Sequence, residues 1–265
     1  MFTLASSIDK IVANQNGAAK EVSMSKHIFK GLATILIVTL LMIFTVVPIL
    51  AFDARSGARI SIASGEVVDD DLYVAAGTVT IDGTVNGDLW AAGNAITVNG
   101  IVNGSVMAVG ETVNISGDID HAVRAAGGTI NVDGNINGDL IVGGGEVNIA
   151  STARIGGDLL FGAGTTRIDG PIEGDIKGNG GEVTISNGVN GNVELKVESL
   201  TILSTANIGG DLNYTSEEKA EIQSGATIAG ATTHKPPKVK KDWTKVFPFV
   251  LFFGVLGKVI GFLMA

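Results

Sequence analysis

The sequence predicts an all-β protein: a parallel β-helix, a solenoid of about nine coils of about 17 residues each, flanked by an N-terminal and a C-terminal apolar helix. Three observations predict it. Residues 87–103 read GDLWAAGNAITVNGIVN and are followed at once by GSVMAVGETVNISGDID, the same length and nearly the same pattern. Branched apolar residues recur in fixed columns at this period. Glycine is abundant, 37 residues against 5 prolines in 265, without a three-residue repeat, which excludes collagen and signals many tight turns.

Aligned on the GDL stretch, the repeats begin at Asp70, Gly87, Gly104, His121, Gly138, Gly157, Gly174, Gly191 and Gly210. A unit this short cannot bury an apolar face alone and must stack on its neighbours. One column runs Leu72, Leu89, Val106, Val123, Leu140, Leu159, Ile176, Val193 and Leu212. Two more pair Val79 with Ile81, Ile96 with Val98 and so on to Leu200 with Ile202, with Thr166 as the polar member, and a fourth leads from Val85 to Ile208. Val79 and Ile81 are two apart and share one side of a strand, while Thr78 and Thr80 take the other. β-Branched residues suit such a pleated, half-buried surface.

Between these runs, Gly83, Gly100, Gly117, Gly134 and Gly170 stand where a corner needs a positive φ or no side chain. The pattern predicts three short strands and three corners per coil, a narrow triangular rod of roughly 40 Å at about 4.8 Å per coil. The expansions ASTARIG (150–156) and LSTANIG (203–209) fall on one corner and leave the columns intact.

Ahead of the solenoid, residues 31–52, GLATILIVTLLMIFTVVPILAF, form an apolar run long enough to span a bilayer, with Lys26 and Lys30 before it. Residues 24–54 therefore read as a signal peptide cleaved near Ala51 or as an uncleaved transmembrane anchor. In both cases the lysines stay inside and the solenoid is carried to the extracytoplasmic side. Residues 1–23 are polar and fit neither role; they read as an upstream segment that a start at Met24 would leave untranslated. Residues 55–233 are the β-helix, 234–245 a basic proline-containing linker, and 246–265 a C-terminal transmembrane segment that stops in mid-run, as a truncated one would. Lys258 within it is placed to snorkel to the interface. The mean hydropathy of +0.38 is high for a purely soluble chain and agrees with membrane segments.

The chain has no cysteine, which excludes disulfides, thiolate metal sites and cysteine nucleophiles. Its net charge of −9, with basic flanks and a more acidic middle, argues against nucleic acid as a partner. The ionisable residues of the repeats do not converge: Arg124, Arg154, Arg167 and Lys177 are scattered, and His121 stands at a corner otherwise held by glycine. A carbohydrate-active β-helix would need clustered carboxylates or cations, and a hexapeptide-type acyltransferase a histidine base, so the reading is of no enzyme, no catalytic residue and no cofactor.

The column Asp71, Asp88, Asp139, Asp158, Asp175 and Asp211 could suggest calcium, but Ser105, Ala122 and Asn192 interrupt it and calcium wants six to eight oxygens at one point. Each Asp is expected instead to cap its own corner by bonding the backbone two residues on. The outward Thr78, Thr80, Thr97, Thr112, Asn114, Thr129, Asn131, Thr184 and Thr201 form a flat polar face. An ice-binding surface is one reading of it, an ordinary solvent face, broken by Glu146, Arg167 and Glu182, the other.

Recurrent GDL, GGxVxI and xGxI units, as in AAGGTINVDGNINGDLIVGGGEVNI, resemble the bactofilin family of polymer-forming bacterial cytoskeletal proteins across residues 55–233, in particular exported, membrane-anchored members. The resemblance implies a right-handed β-helix that assembles end to end without nucleotide or metal. An uncapped solenoid also exposes two sticky ends on physical grounds. The candidate self-assembly residues are Ile60, Ile62 and Val67 in the partial first coil and Ile222 and Ile228 in the last. The expected function is a membrane-associated scaffold whose partners are itself, the membrane and a cell-envelope polymer; the alternative is a non-catalytic surface-binding rod of adhesin or ice-binding type.

Overall fold

A computed structural model describes residues 53–237, and all regular structure in them is strand. The stack is a parallel β-solenoid of eleven coils rather than nine. The two additional coils lie at the ends: Asp53–Ile62 precedes the first GDL-type repeat and Thr232–Lys235 follows the last. Neither is introduced by a glycine–aspartate pair, so alignment on that signature passes over both. At about 4.8 Å per coil the described solenoid is about 50 Å long.

A typical coil contains two strands rather than three, a ten-residue strand such as Leu72–Ile81 and a two-residue strand such as Thr84–Val85. The long strand covers two of the three expected sides. Its buried residues are Leu72, Val74 and Ala76, then, after a three-residue step across Gly77, Val79 and Ile81. The strand continues through that bend while its pairing skips two residues: the register runs from Leu72↔Leu89 to Ala75↔Ala92 and resumes at Thr78↔Ala95. Small residues at the bend let the backbone turn without ending the strand.

Stacking in register places each branched column on itself, as in Leu89↔Val106, Ile96↔Val113 and Val98↔Ile115. These columns form one continuous buried core. Thr166 is its polar exception, 1% exposed, with no hydrogen-bond partner for Oγ1 among the described residues. The short strands build a second sheet from Val67–Val68 to Arg154–Ile155 and a third from Gly188–Val189 to Thr227–Ile228. Pro171 lies between them and has no N–H to donate, so its coil contributes only isolated bridges through Ile172.

The corner glycines serve close approach, not left-handed backbone. Among the described residues only Gly65 (φ 85°) and Gly225 (φ 108°) have positive φ, and both sit in expanded corners. A Cβ on Gly100 would lie 2.9 Å from the carbonyl carbon of Gly83 one coil below and nearer still to its oxygen. Four turns expand the corner before the short strand, closed by bonds from Glu66 to Ala63, Ala153 to Ala150, Ala206 to Leu203 and Ala226 to Gln223 at 2.9 to 3.1 Å. The second and third of these are the two legible as ASTARIG and LSTANIG.

The upstream segment 1–23, the apolar run 31–52, residues 238–245 of the linker and the apolar segment 246–265 lie outside the described residues. Among the described residues no helix is long and apolar enough to cross a membrane.

Candidate assembly surfaces

The aspartates of the GDL signature line one corner, and they reach the next coil rather than capping their own. Asp71 Oδ1 accepts the Asp88 N–H at 2.8 Å, and Asp88 Oδ1 accepts the Ser105 N–H at 2.7 Å, each 17 residues on. The relay resumes at Asp139, which accepts from Asp158 at 2.9 Å. It then passes through Asp158, Asp175, Asn192 and Asp211 to the Ala231 N–H at 2.8 Å. Each carboxylate rung is a charge-assisted bond between coils.

The same geometry explains the glycine. A Cβ on Gly191 would lie 2.6 Å from the Gly174 oxygen and closer still to Asp175 Oδ1. Glycine thus leaves room for the carboxylate from the coil below, the following N–H binds it, and the following side chain reaches up to repeat the bond. His121 obeys this rule in reverse: the residue beneath it is Ser105, which sends no carboxylate into the space a Cβ would fill. Among the described residues no three His, Asp or Glu side chains are grouped to hold a metal ion.

The outer polar face forms amide ladders in the central coils. Asn131 donates to Asn114 at 2.9 Å and Asn148 to Asn131 at 3.2 Å. On the short-strand side, Asn135 donates to Asp118 at 2.8 Å and Asn137 to Asp120 at 2.9 Å. These four residues, with Ile101, Asn103 and Arg154, line a shallow depression of about 310 Å³. Its carboxylates are bound by the amides, and Arg154 pairs with Glu173 at 2.7 Å. Arg167 lies 3.8 Å from Asp169 on another side, and His121 is exposed at its corner, so the cations and the histidine are not brought together.

The candidate end residues differ in placement. Ile62 is fully buried, and Ile60 is half-buried against the core. Val67 points outward and is 54% exposed. At the other end Ile222 is 41% exposed, and Ile228 is half-buried against the core. Arg55 clamps the first coil, 2.7 Å from Asp53 and 2.8 Å from Glu66. Its hydrogen bonds hold both carboxyls below their usual range, and the two carboxylates push the guanidinium further up. In the last coil the His234 ring stacks on Tyr214 at 4.8 Å, and its Nε2 lies 2.9 Å from the Ser216 oxygen. Among the described residues, Asp53–Ile62 is paired only with Leu72–Ile81, and Thr232–Lys235 only with Leu212–Thr215.

A further surface escaped the sequence reading. Tyr73, Trp90, Met107, Ile141 and Leu160 share one outward column, beside Ala75, Ala92, Val109 and Ala126. The Tyr73 and Trp90 rings stack at 5.9 Å and 13°. Burial pushes the Tyr73 phenol up, helped by the carboxylates of Asp71, Asp88 and Asp70. Leu160 is 42% exposed. The signal was present: the residue after the first core column is large and apolar in most coils up to Leu160, whereas Lys177 and Glu194 follow it.

The chain matches no protein-family model, and comparison with curated proteins and with solved structures yields no significant match.

Proposed function

We propose that the chain is a membrane-associated, polymer-forming scaffold of bactofilin type. In this reading a right-handed solenoid is held between two apolar helices on the extracytoplasmic side, self-assembles through its ends, and does no catalysis. The observation that carries the reading is the last coil. The last full coil is broken into the short strands Leu212–Thr215, Glu221–Ile222 and Thr227–Ile228, keeps Ile222 exposed, and among the described residues only its first strand is covered from above, by the partial coil Thr232–Lys235. Open ladder groups beside apolar surface are a template for another strand. A coil from a second copy would meet this one as each coil meets the one before it, so the repetition itself is the working part.

The test is sedimentation and electron microscopy of the full chain in detergent micelles. Filaments or concentration-dependent oligomers are expected, and Ile222→Asp should shorten or abolish them. A monodisperse monomer at high concentration would overturn self-assembly and leave a tethered surface-binding rod.

A further inference from the structure

We propose that two copies of this chain pair side by side and antiparallel through the outward column Tyr73, Trp90, Met107, Arg124, Ile141 and Leu160, with Met107 on the two-fold axis. This rests on the reading of the chain as a self-assembling scaffold and adds a lateral contact to the end contact. The column is about 24 Å long and lies on a regular parallel sheet. Its neighbours Ala75, Ala92 and Ala126 are small and Val109 beside Met107 is of medium size, which suits a second sheet at the usual face-to-face distance of about 10 Å.

Charge selects the partner and the direction. A parallel pair in the same register sets Arg124 against the partner's Arg124. An antiparallel pair centred on Met107 brings Arg124 to the partner's Trp90, within reach of the indole face that Tyr73 leaves open, and sets Tyr73 against the partner's Ile141. The edge of the stripe carries Asp71 and Asp88 at one end and Asp139 and Asp158 at the other. Its two carboxylate-free coils, those of Ser105 and Ala122, are the coils of Met107 and Arg124. In the antiparallel pair the Ala122 coil lies opposite the partner's Asp88, so the three central coils bring no two edge carboxylates together, and Asp71 meets the partner's Asp139 only at the two ends. An anionic bilayer would instead face the acidic edge of a chain of net charge −9. The stripe is smaller than a standard interface of about 1,600 Å², so the contact is weak alone and gains strength when end-stacked rods repeat it.

The chain has no cysteine, which makes single-cysteine variants of the full chain clean probes in detergent micelles. Sheets about 10 Å apart are too distant for a disulfide, so the reagent is a short bismaleimide. Met107→Cys should cross-link to itself. Trp90→Cys and Arg124→Cys should each stay monomeric alone and cross-link when mixed, and Thr97→Cys on the polar face should not react. Adding Arg124→Glu to Met107→Cys should weaken dimerisation about tenfold, the loss of two exposed cation–π contacts.

Self-cross-linking of Arg124→Cys would overturn the antiparallel arrangement. Polymers that form normally with no cross-link at any stripe position would overturn the lateral contact and leave end assembly standing; a chain that stays monomeric by sedimentation would sink the scaffold reading itself. Quenching of Trp90 by brominated lipids in vesicles, in a Trp243→Phe background without stripe cross-links, would assign the stripe to a lipid surface instead.

Discussion

From Asp139 to Ala231 the side-chain relay runs without a break, through four carboxylates and the Asn192 amide, and every coil in that stretch keeps glycine at its rung; at Ser105 and Ala122 the relay stops, and His121 occupies the place of glycine. The difference shows that glycine and aspartate form one inter-coil device and not two independent turn preferences. The side chain reaching up from the coil below, 16 to 19 positions earlier, adds to the crowding by that coil's backbone, and where that side chain is Ser105 a histidine fits. The coils without the relay are also the centre of the apolar stripe, where edge carboxylates would face a partner.

The strongest way to break this comparison is to fill the space beneath a rung. Gly191→Val drives a branched side chain into Asp175 Oδ1 and the Gly174 carbonyl and should cost about 3 kcal/mol, read as a lower urea midpoint. An unchanged midpoint would mean that the coil spacing yields easily and that glycine has another cause.

A smaller effect with two signs should appear at the gap. Ala122→Asp supplies an acceptor to the Asp139 N–H above a Gly138 that already leaves room, and should stabilise by about 1 kcal/mol. Ser105→Asp sends its carboxylate toward the His121 Cβ and should destabilise by a similar amount, with His121→Gly restoring what is lost. Equal effects at the two positions, or no coupling in the Ser105–His121 double-mutant cycle, would refute the device.

The smallest effect contrasts this corner with the clamp on the first coil. Asp53 and Glu66 have folded pKa values lowered by Arg55, so their contribution is present above their unfolded values near 4. It is lost as the pH falls through the lowered folded values. Arg55→Met should therefore flatten the acid side of the stability–pH curve below about pH 4 and leave the slope at pH 6 to 8 unchanged. A curve of unaltered shape would remove the clamp from the stability of that end.

Much of the fold was legible because β-solenoid packing is local and periodic. Leu89, Ile96, Val98 and Val102 announced their burial by recurring every coil, and two of the four expanded corners were visible as insertions against that period. The end coils were legible only in part: Ile60 and Ile62 read as a partial first coil where the strand is the full Asp53–Ile62, and Thr232–Lys235 lacks the signature on which the repeats align. The candidate assembly residues were legible only as apolar positions near the ends of the repeats, and periodicity alone does not separate Ile62, which is fully buried, from Ile222, which is left exposed.

What the sequence alone determined is the stacked, parallel, all-β core, because one inward column of branched residues per strand position can be buried only on its own repeat. What only the tertiary structure decided is where each polar group is satisfied. The partner of Asp71 is the N–H of Asp88 and not its own turn, the corner glycines answer to carbonyls and carboxylates one coil below, and Trp90 and Met107 come side by side on an outer face. Those contacts join residues a full coil apart, and their geometry exists only once the coils are stacked.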